Sequence, residues 1–217
     1  ELERAERLAE YWTRQAAGLR AELSAHPEVA AALERDGIAP QAVTHFGLGY
    51  GVHLGARSLV IPWRFTHAGA EVVRGVQYRA ILGDAFPDGD PRYRWRAGSQ
   101  GKSLFNADVV LTPVDDRLVV VEGAKKAMAL WSKGLESVVA LAGATCWAPT
   151  WAPRLAGFRT VVFALDPDAT DRAIAAARSV PGARVARLPE KPDDLLLKSG
   201  GDIEMLMAFI DQARRVD

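Results

Sequence analysis

Apolar positions in the first part of the chain recur at helical spacing. Leu8, Tyr11, Trp12, Leu19 and Leu23 share one face while arginine and glutamate fill other positions, which predicts an amphipathic first helix. Pro27 opens a second, short helix, and Gly37 stops it just after Leu33 and Asp36. From Phe46 the texture changes to short β-like runs at 46–51, 58–62 and 72–82. His67-Ala68-Gly69-Ala70 supplies a hairpin turn between the last two. Glycine, proline and aspartate then cluster over 83–91 and mark a loop. Beyond Thr112-Pro113 and the acidic turn Asp115-Asp116 the pattern becomes regular βα alternation. Strands are predicted at 118–121, 138–141, 160–165 and 184–188, with helices at 123–133, 151–155 and 169–178 and two more helical stretches at the end. Strands separated by helices imply a parallel sheet with right-handed crossovers. The expected fold is α/β, with a parallel sheet flanked by helices over 113–217 and a smaller α+β subdomain over 1–112.

Composition narrows the class. The chain has 217 residues, enough for one large domain or two small ones, and 49% of them are hydrophobic, ample for a packed core. Lys+Arg and Asp+Glu are both 27, so any nucleic-acid footprint must be local. The single cysteine, Cys146, excludes an internal disulfide and a cysteine-based zinc site within this chain. His26, His45, His53 and His67 fall in no ligand spacing and read as surface or core histidines. No apolar run is long enough to cross a bilayer and no signal peptide opens the chain, so a cytoplasmic location without a membrane partner is expected. The first residue is Glu, so a fragment of a longer protein is expected as well.

The local footprint is the stretch 92–103. It carries Arg92, Arg94, Arg96 and Lys102 with Tyr93 and Trp95, and no acid. It fits a groove that tracks a phosphate backbone while an aromatic ring stacks a base. It equally fits an edge strand with solvated arginines on one side and packed aromatics on the other. Gly101-Lys102-Ser103 matches the end of a phosphate-binding P-loop, but Arg96 stands where the first glycine belongs and no buried apolar strand precedes it, so that reading fails.

The acids carry the chemistry. An apolar strand runs into Glu122-Gly123, and a second runs into Asp166-Pro167-Asp168. Singly, each acid could be a helix cap or a first-turn acid facing the helix dipole. Together, parallel strands would gather Glu122, Asp166 and Asp168 at the sheet edge where open α/β folds bind ligands. Asp193-Asp194 follows the last strand as a further pair. Carboxylates so gathered repel one another unless a cation compensates, and Mg²⁺ or Mn²⁺ holding phosphates gives them a purpose.

A Glu-Gly strand end followed by an Asp-x-Asp strand end resembles the Toprim domain of primases, topoisomerases and related nucleases. Upstream, Gly47-Leu48-Gly49-Tyr50, Leu59-Val60-Ile61-Pro62 and Gly75-Val76-Gln77-Tyr78-Arg79 resemble the N-terminal part of the DnaG-type primase core. Arg92-Tyr93 and Gly101-Lys102-Ser103-Leu104-Phe105-Asn106 follow in the order of that family's basic ridge, and 188–194 is similar to its late acidic turn. The likeness covers roughly residues 28–200 and is similar in flavour to Toprim proteins of phages, plasmids and integrative elements, where Glu-Gly-x-Lys-Lys-Ala and a nearby tryptophan such as Trp147 recur.

The resemblance implies a nucleotidyltransferase that makes primers on a single-stranded DNA template from nucleoside triphosphates. Glu122, Asp166 and Asp168 would be its metal-binding catalytic acids, and Asp193 or Asp194 the outer acid. Arg79, Arg92, Tyr93, Arg94, Trp95, Arg96, Lys102, Lys125 and Lys126 would contact template or nucleotide. A replicative helicase is the expected partner of the larger protein, whose zinc module and C-terminal helical bundle are not among these residues. Lys126 departs from the pattern, since DnaG-type primases usually carry aspartate there, and it leaves the number of metals open. The alternatives are a Toprim nuclease and a non-catalytic nucleic-acid-binding module.

Overall fold

The structure, a computed structural model, describes residues 2–87, 93–99 and 103–216, with side chains from Arg7 onward. The chain divides into two compact units, Glu1–Gly101 and Lys102–Asp217.

The first unit opens with α1 (Leu2–Ser24), α2 (Pro27–Arg35) and α3 (Pro40–Phe46). Trp12, Ala16 and Leu23 are buried on one face of α1, as their helical spacing requires. The helix α3 replaces what reads in sequence as the approach to a strand: Pro40 starts it and Gly47, left-handed at φ 62°, ends it. Four strands follow in antiparallel order, β1 (Gly49–His53), β2 (Ala56–His67), β3 (Ala70–Ala80) and β4 (Tyr93–Trp95). The hairpin lies where expected, with Ala68 and Gly69 both at positive φ, the geometry that matches strand twist. Strand β2 runs on past its predicted end because Trp63 continues the buried face while Arg64 finds partners. Glu71 accepts from Arg20 at 2.7 Å and from Arg64 at 2.8 Å, and Arg64 also donates to the carbonyl of His45. One carboxylate thus ties α1 to the long hairpin.

Within the basic run, Tyr93–Trp95 form β4, an edge strand, pairing Tyr93 with Arg79 and Trp95 with Gln77. Its aromatics are partly covered, with Trp95 4.9 Å from Trp63. Two arginines of the run are held: Arg94 lies over Phe86, and Arg96 donates to the hydroxyls of Tyr78 and Tyr11.

The second unit is α/β. Its strands are β5 (Arg117–Glu122), β6 (Val138–Leu141), β7 (Thr160–Phe163), β8 (Arg184–Val185) and β9 (Arg214–Arg215), in the order β6-β5-β7-β8-β9. The first four are mutually parallel and β9 is antiparallel to β8. Leu118 to Val121 and Val138 to Leu141 are buried throughout, which explains their unbroken apolar runs. The helices are α4 (Asp108–Leu111), α5 (Ala124–Trp131), α6 (Ala152–Leu155), α7 (Thr170–Ala177), α8 (Pro192–Lys198) and α9 (Glu204–Asp211). Helix α5 packs on β5 and β6, α7 on β7 and β8, and α8 touches both α5 and α9.

The sequence places the division after Thr112, whereas the structure assigns 103–112 to the second unit. Phe105 bridges to Ala140 through backbone bonds of 2.9 and 3.2 Å, and the Asn106 side-chain amide donates to Val138 O at 2.8 Å. The segment thereby borders β6, and the Thr-Pro pair marks only a local turn. No helix among the described residues is long and apolar enough to cross a membrane.

Candidate functional site

Strand β5 delivers Glu122 at its last residue. Gly123 then takes φ 84°, a left-handed turn that lets α5 start at once and puts Lys125 and Lys126 in its first turn. The space there is open, since an added Cβ would meet only Lys126 Nζ at 4.0 Å, so the glycine is required by backbone angle. Next to β5, strand β7 leads through Ala164 and Leu165 to Asp166. Pro167 opens a single 3-10 turn holding Asp168, and α7 follows. Asp193 and Asp194 sit in the first turn of α8, which begins at Pro192.

Burial sorts the acids. Asp166 and Asp193 are buried, Glu122 is half-buried, and Asp168 and Asp194 are exposed. Lysines reach the buried ones. Lys126 Nζ stands 3.1 Å from Asp166 Oδ1, Lys191 Nζ 3.8 Å from Asp166 Oδ2, and Lys125 Nζ 3.2 Å from Asp193 Oδ2. Even so, Asp166 Oδ1 and Asp193 Oδ1 are buried without an aligned hydrogen bond; Lys126 compensates the charge of Asp166 from off the bonding direction.

The acids also feel one another. Burial, and next the charge of Asp166, push the Glu122 carboxyl above the usual carboxylate range, with Lys126 and a backbone bond at Ala144 pulling the other way. Burial likewise raises Asp166, and Asp193 adds to it, while Lys126 and Lys191 draw it back. The structure therefore brings Glu122, Asp166 and Asp193 together electrostatically, with Asp168 a lesser neighbour of Glu122. Lys191 is the residue sequence reasoning passed over. It lies between two prolines in the acidic turn, and no spacing rule announces that this turn reaches back to β7.

Among the described residues, no three acidic, histidine or cysteine side chains stand close enough to hold one metal ion. This is not a closed cage. The donors are nonetheless all carboxylate oxygens, two of them buried and lacking hydrogen bonds. Mg²⁺ is ordinarily held by one or two carboxylates plus substrate phosphates and keeps its remaining positions for water. The residues fit a cation that arrives with phosphate. Trp147 stands aside from this, edge-on to Phe163 at 5.3 Å with its indole N–H donated to Ser179.

Of the basic candidates in the first unit, Arg79 is buried and paired to Asp36 at 2.6 Å, and its guanidinium lies 6.0 Å from the Tyr93 ring centroid. It lines a cavity of about 760 Å³ together with Arg35, Asp36 and Asp84. Tyr93, Arg94, Trp95 and Arg96 follow one another along and just past β4, whereas Arg92 and Lys102 lie outside the described residues.

No protein-family model and no curated protein sequence matches the chain. Solved structures do. A DnaG primase catalytic domain bound to single-stranded DNA superposes with a TM-score of 0.79 at 19% identity, over 100% of this chain and 84% of that one. The Escherichia coli primase catalytic core gives 0.74 at 19% identity, over 96% of this chain and 81% of that one. The chain has the fold of the DnaG primase catalytic core. The Aquifex aeolicus primase, with zinc-binding and RNA polymerase domains, gives 0.72 at 21% identity, and there this chain spans 60% of the longer protein.

Proposed function

We propose that this chain is the catalytic core of a primase-like nucleotidyltransferase that joins nucleotides on a single-stranded DNA template. The observation that carries the proposal is the placing of Glu122 and Asp166 at the ends of adjacent parallel strands, within a fold shared with DnaG catalytic cores. Glu122, Asp166 and Asp168, backed by Asp193 or Asp194, would hold Mg²⁺ or Mn²⁺ in a Toprim-type site. The cation, when bound, supplies charge neutralisation at the triphosphate and polarises the attacked phosphorus.

The chain's own residues do the rest. Lys125, Lys126 and Lys191 keep positive charge against the acids, and an incoming triphosphate offers those ammonium groups oxygens in exchange for carboxylates. Gly123 leaves the approach to Glu122 without a side chain. Arg79, Arg92, Tyr93, Arg94, Trp95, Arg96 and Lys102 supply cationic and aromatic contacts for template and nucleotide. Phosphate contacts of that kind make binding fall steeply with salt.

The test is primer synthesis on a defined single strand with ribo- or deoxynucleoside triphosphates and Mg²⁺ or Mn²⁺. Template-dependent products that need the complementary nucleotides support the proposal, and Asp166→Ala with Asp168→Ala is expected to abolish them. Shortening of the strand would instead assign a Toprim nuclease. The tight Lys126 contact to Asp166 gives the non-catalytic module its one specific support, and binding without turnover would establish that reading.

A further inference from the structure

The second unit carries a feature the acid cluster does not use. At the edge of its sheet, between α7 and α9 and against β8 and β9, a cavity of about 840 Å³ is lined by Arg178, Arg187, Arg214 and Arg215, with Phe209 and Gln212. No acid lines it. Five other cations of this unit stand against acids: Arg117 with Asp211, Lys198 with Glu190, and Lys125, Lys126 and Lys191 with the buried aspartates. None of these four arginines forms an ion pair with another described residue, and all four are exposed.

Four guanidinium groups with no ion-pair partner among the described residues repel one another and gain most from an anion with several charges spread along its length. Successive strand residues face opposite sides of a sheet, so Arg214 and Arg215 fringe both sides of the edge strand. A single small anion would satisfy one or two of the four; a chain of phosphates satisfies them all. Phe209, half-buried in the lining, adds an aromatic face of the kind on which a base stacks.

We infer that this arginine-lined edge is a second binding site for nucleic acid, taking the phosphate backbone of a single strand. The acids follow the central strands β5 and β7, whereas this site lies at β8 and β9, so it holds strand rather than reacting groups. The choice of a polynucleotide over a small phosphate rests on the proposed primase-like role.

The experiment is fluorescence anisotropy of a labelled mixed-sequence DNA strand of about 16 nucleotides, near the upper site size of a single-strand-binding fold. It is run across a salt series with the unaltered chain, with Arg214→Glu plus Arg215→Glu, and with Arg178→Gln plus Arg187→Gln. Circular dichroism melts check that each variant folds. Each pair is expected to weaken binding at least about tenfold at low salt and to flatten the slope of log K against log salt by about 1.4, two contacts at roughly 0.7 each. Unchanged affinity and slope in folded variants would overturn the inference. So would new self-association without loss of DNA binding, which would assign the arginines to guarding the sheet edge. Displacement of the strand by micromolar inorganic pyrophosphate would overturn it in favour of a small-phosphate site. Arginine-dependent binding in a chain that makes no primers would leave this site standing and remove the primase reading; primer synthesis with arginine-independent binding would do the reverse.

Discussion

Lys126 and Glu122 decide how the acid cluster behaves. Lys126 is the nearest cation to Asp166, and its charge also draws down Glu122. Lys126→Ala should destabilise the second unit by about 1–3 kcal/mol, short of the cost of a fully buried pair because Lys191 remains within reach. The same change frees Asp166 for a cation. Titration calorimetry with Mn²⁺ should therefore show severalfold tighter binding than the unaltered chain, and millimolar Mg²⁺ should restore more of the lost melting temperature. No gain in affinity would mean that Asp166 is not where the cation binds. Glu122 makes an independent prediction from pH. Its folded-state pKa is raised by burial and by Asp166, so folding favours its protonated form. That contribution is complete below the ordinary value of 4.5 and is lost as pH rises through the folded value. Glu122→Gln, which keeps the neutral form at every pH, should raise the melting temperature at neutral pH, with the gain shrinking toward zero well below pH 4.5. A gain that persists undiminished in acid would point to packing as its cause.

Elements expose which parts of the sequence speak and which do not. Strand β1 passes so close to α1 that a Cβ on Gly49 would stand 2.8 Å from the Leu19 carbonyl, a backbone group unable to swing away. On Gly51 it would meet the movable Leu19 Cδ2 at 3.1 Å, with Val60 Cγ2 at an ordinary 3.9 Å. Gly49→Ala should cost about 2–3 kcal/mol in urea unfolding and Gly51→Ala under about 1 kcal/mol, because overpacking is expensive where the obstacle cannot turn. The βα alternation was legible because β5, β6 and β7 are buried on both faces and leave unbroken apolar runs. The carboxylates at their ends were legible because they interrupt those runs. The helix α3 and the strand β9 were not: the first is a short turn whose proline and glycine signals also fit a loop, and the second is a two-residue edge written in arginine. The basic run 92–96 was ambiguous because one alternating pattern serves a strand and a groove alike. Structure resolves the strand, with Arg96 clamped by Tyr78 and Tyr11. Arg96→Lys separates the two roles. It should lose about 1–2 kcal/mol of stability with those hydrogen bonds, yet leave the salt dependence of DNA binding unchanged, since the charge remains.

At the scale of the molecule, the contact of Lys191 with Asp166 and the shift of the unit boundary from after Thr112 to after Gly101 have a common origin. Both depend on segments distant in sequence closing on one another, and no local periodicity encodes that closure. Each unit has its own sheet and its own buried core, the first around Trp12, Val60, Val76 and Tyr78 and the second around β5, β6 and β7. Cores that are separately complete should lose structure in separate cooperative steps. Scanning calorimetry is accordingly expected to resolve two transitions. Gly49→Ala should lower one of them and leave the other in place, because its clash with Leu19 lies wholly within the first unit. Glu122→Gln should raise only the other, because Asp166 and Lys126, the groups it answers to, belong to the second. If both substitutions moved a single transition, the two units would be one cooperative body, and the energetic consequences of each would have to be read across the whole chain.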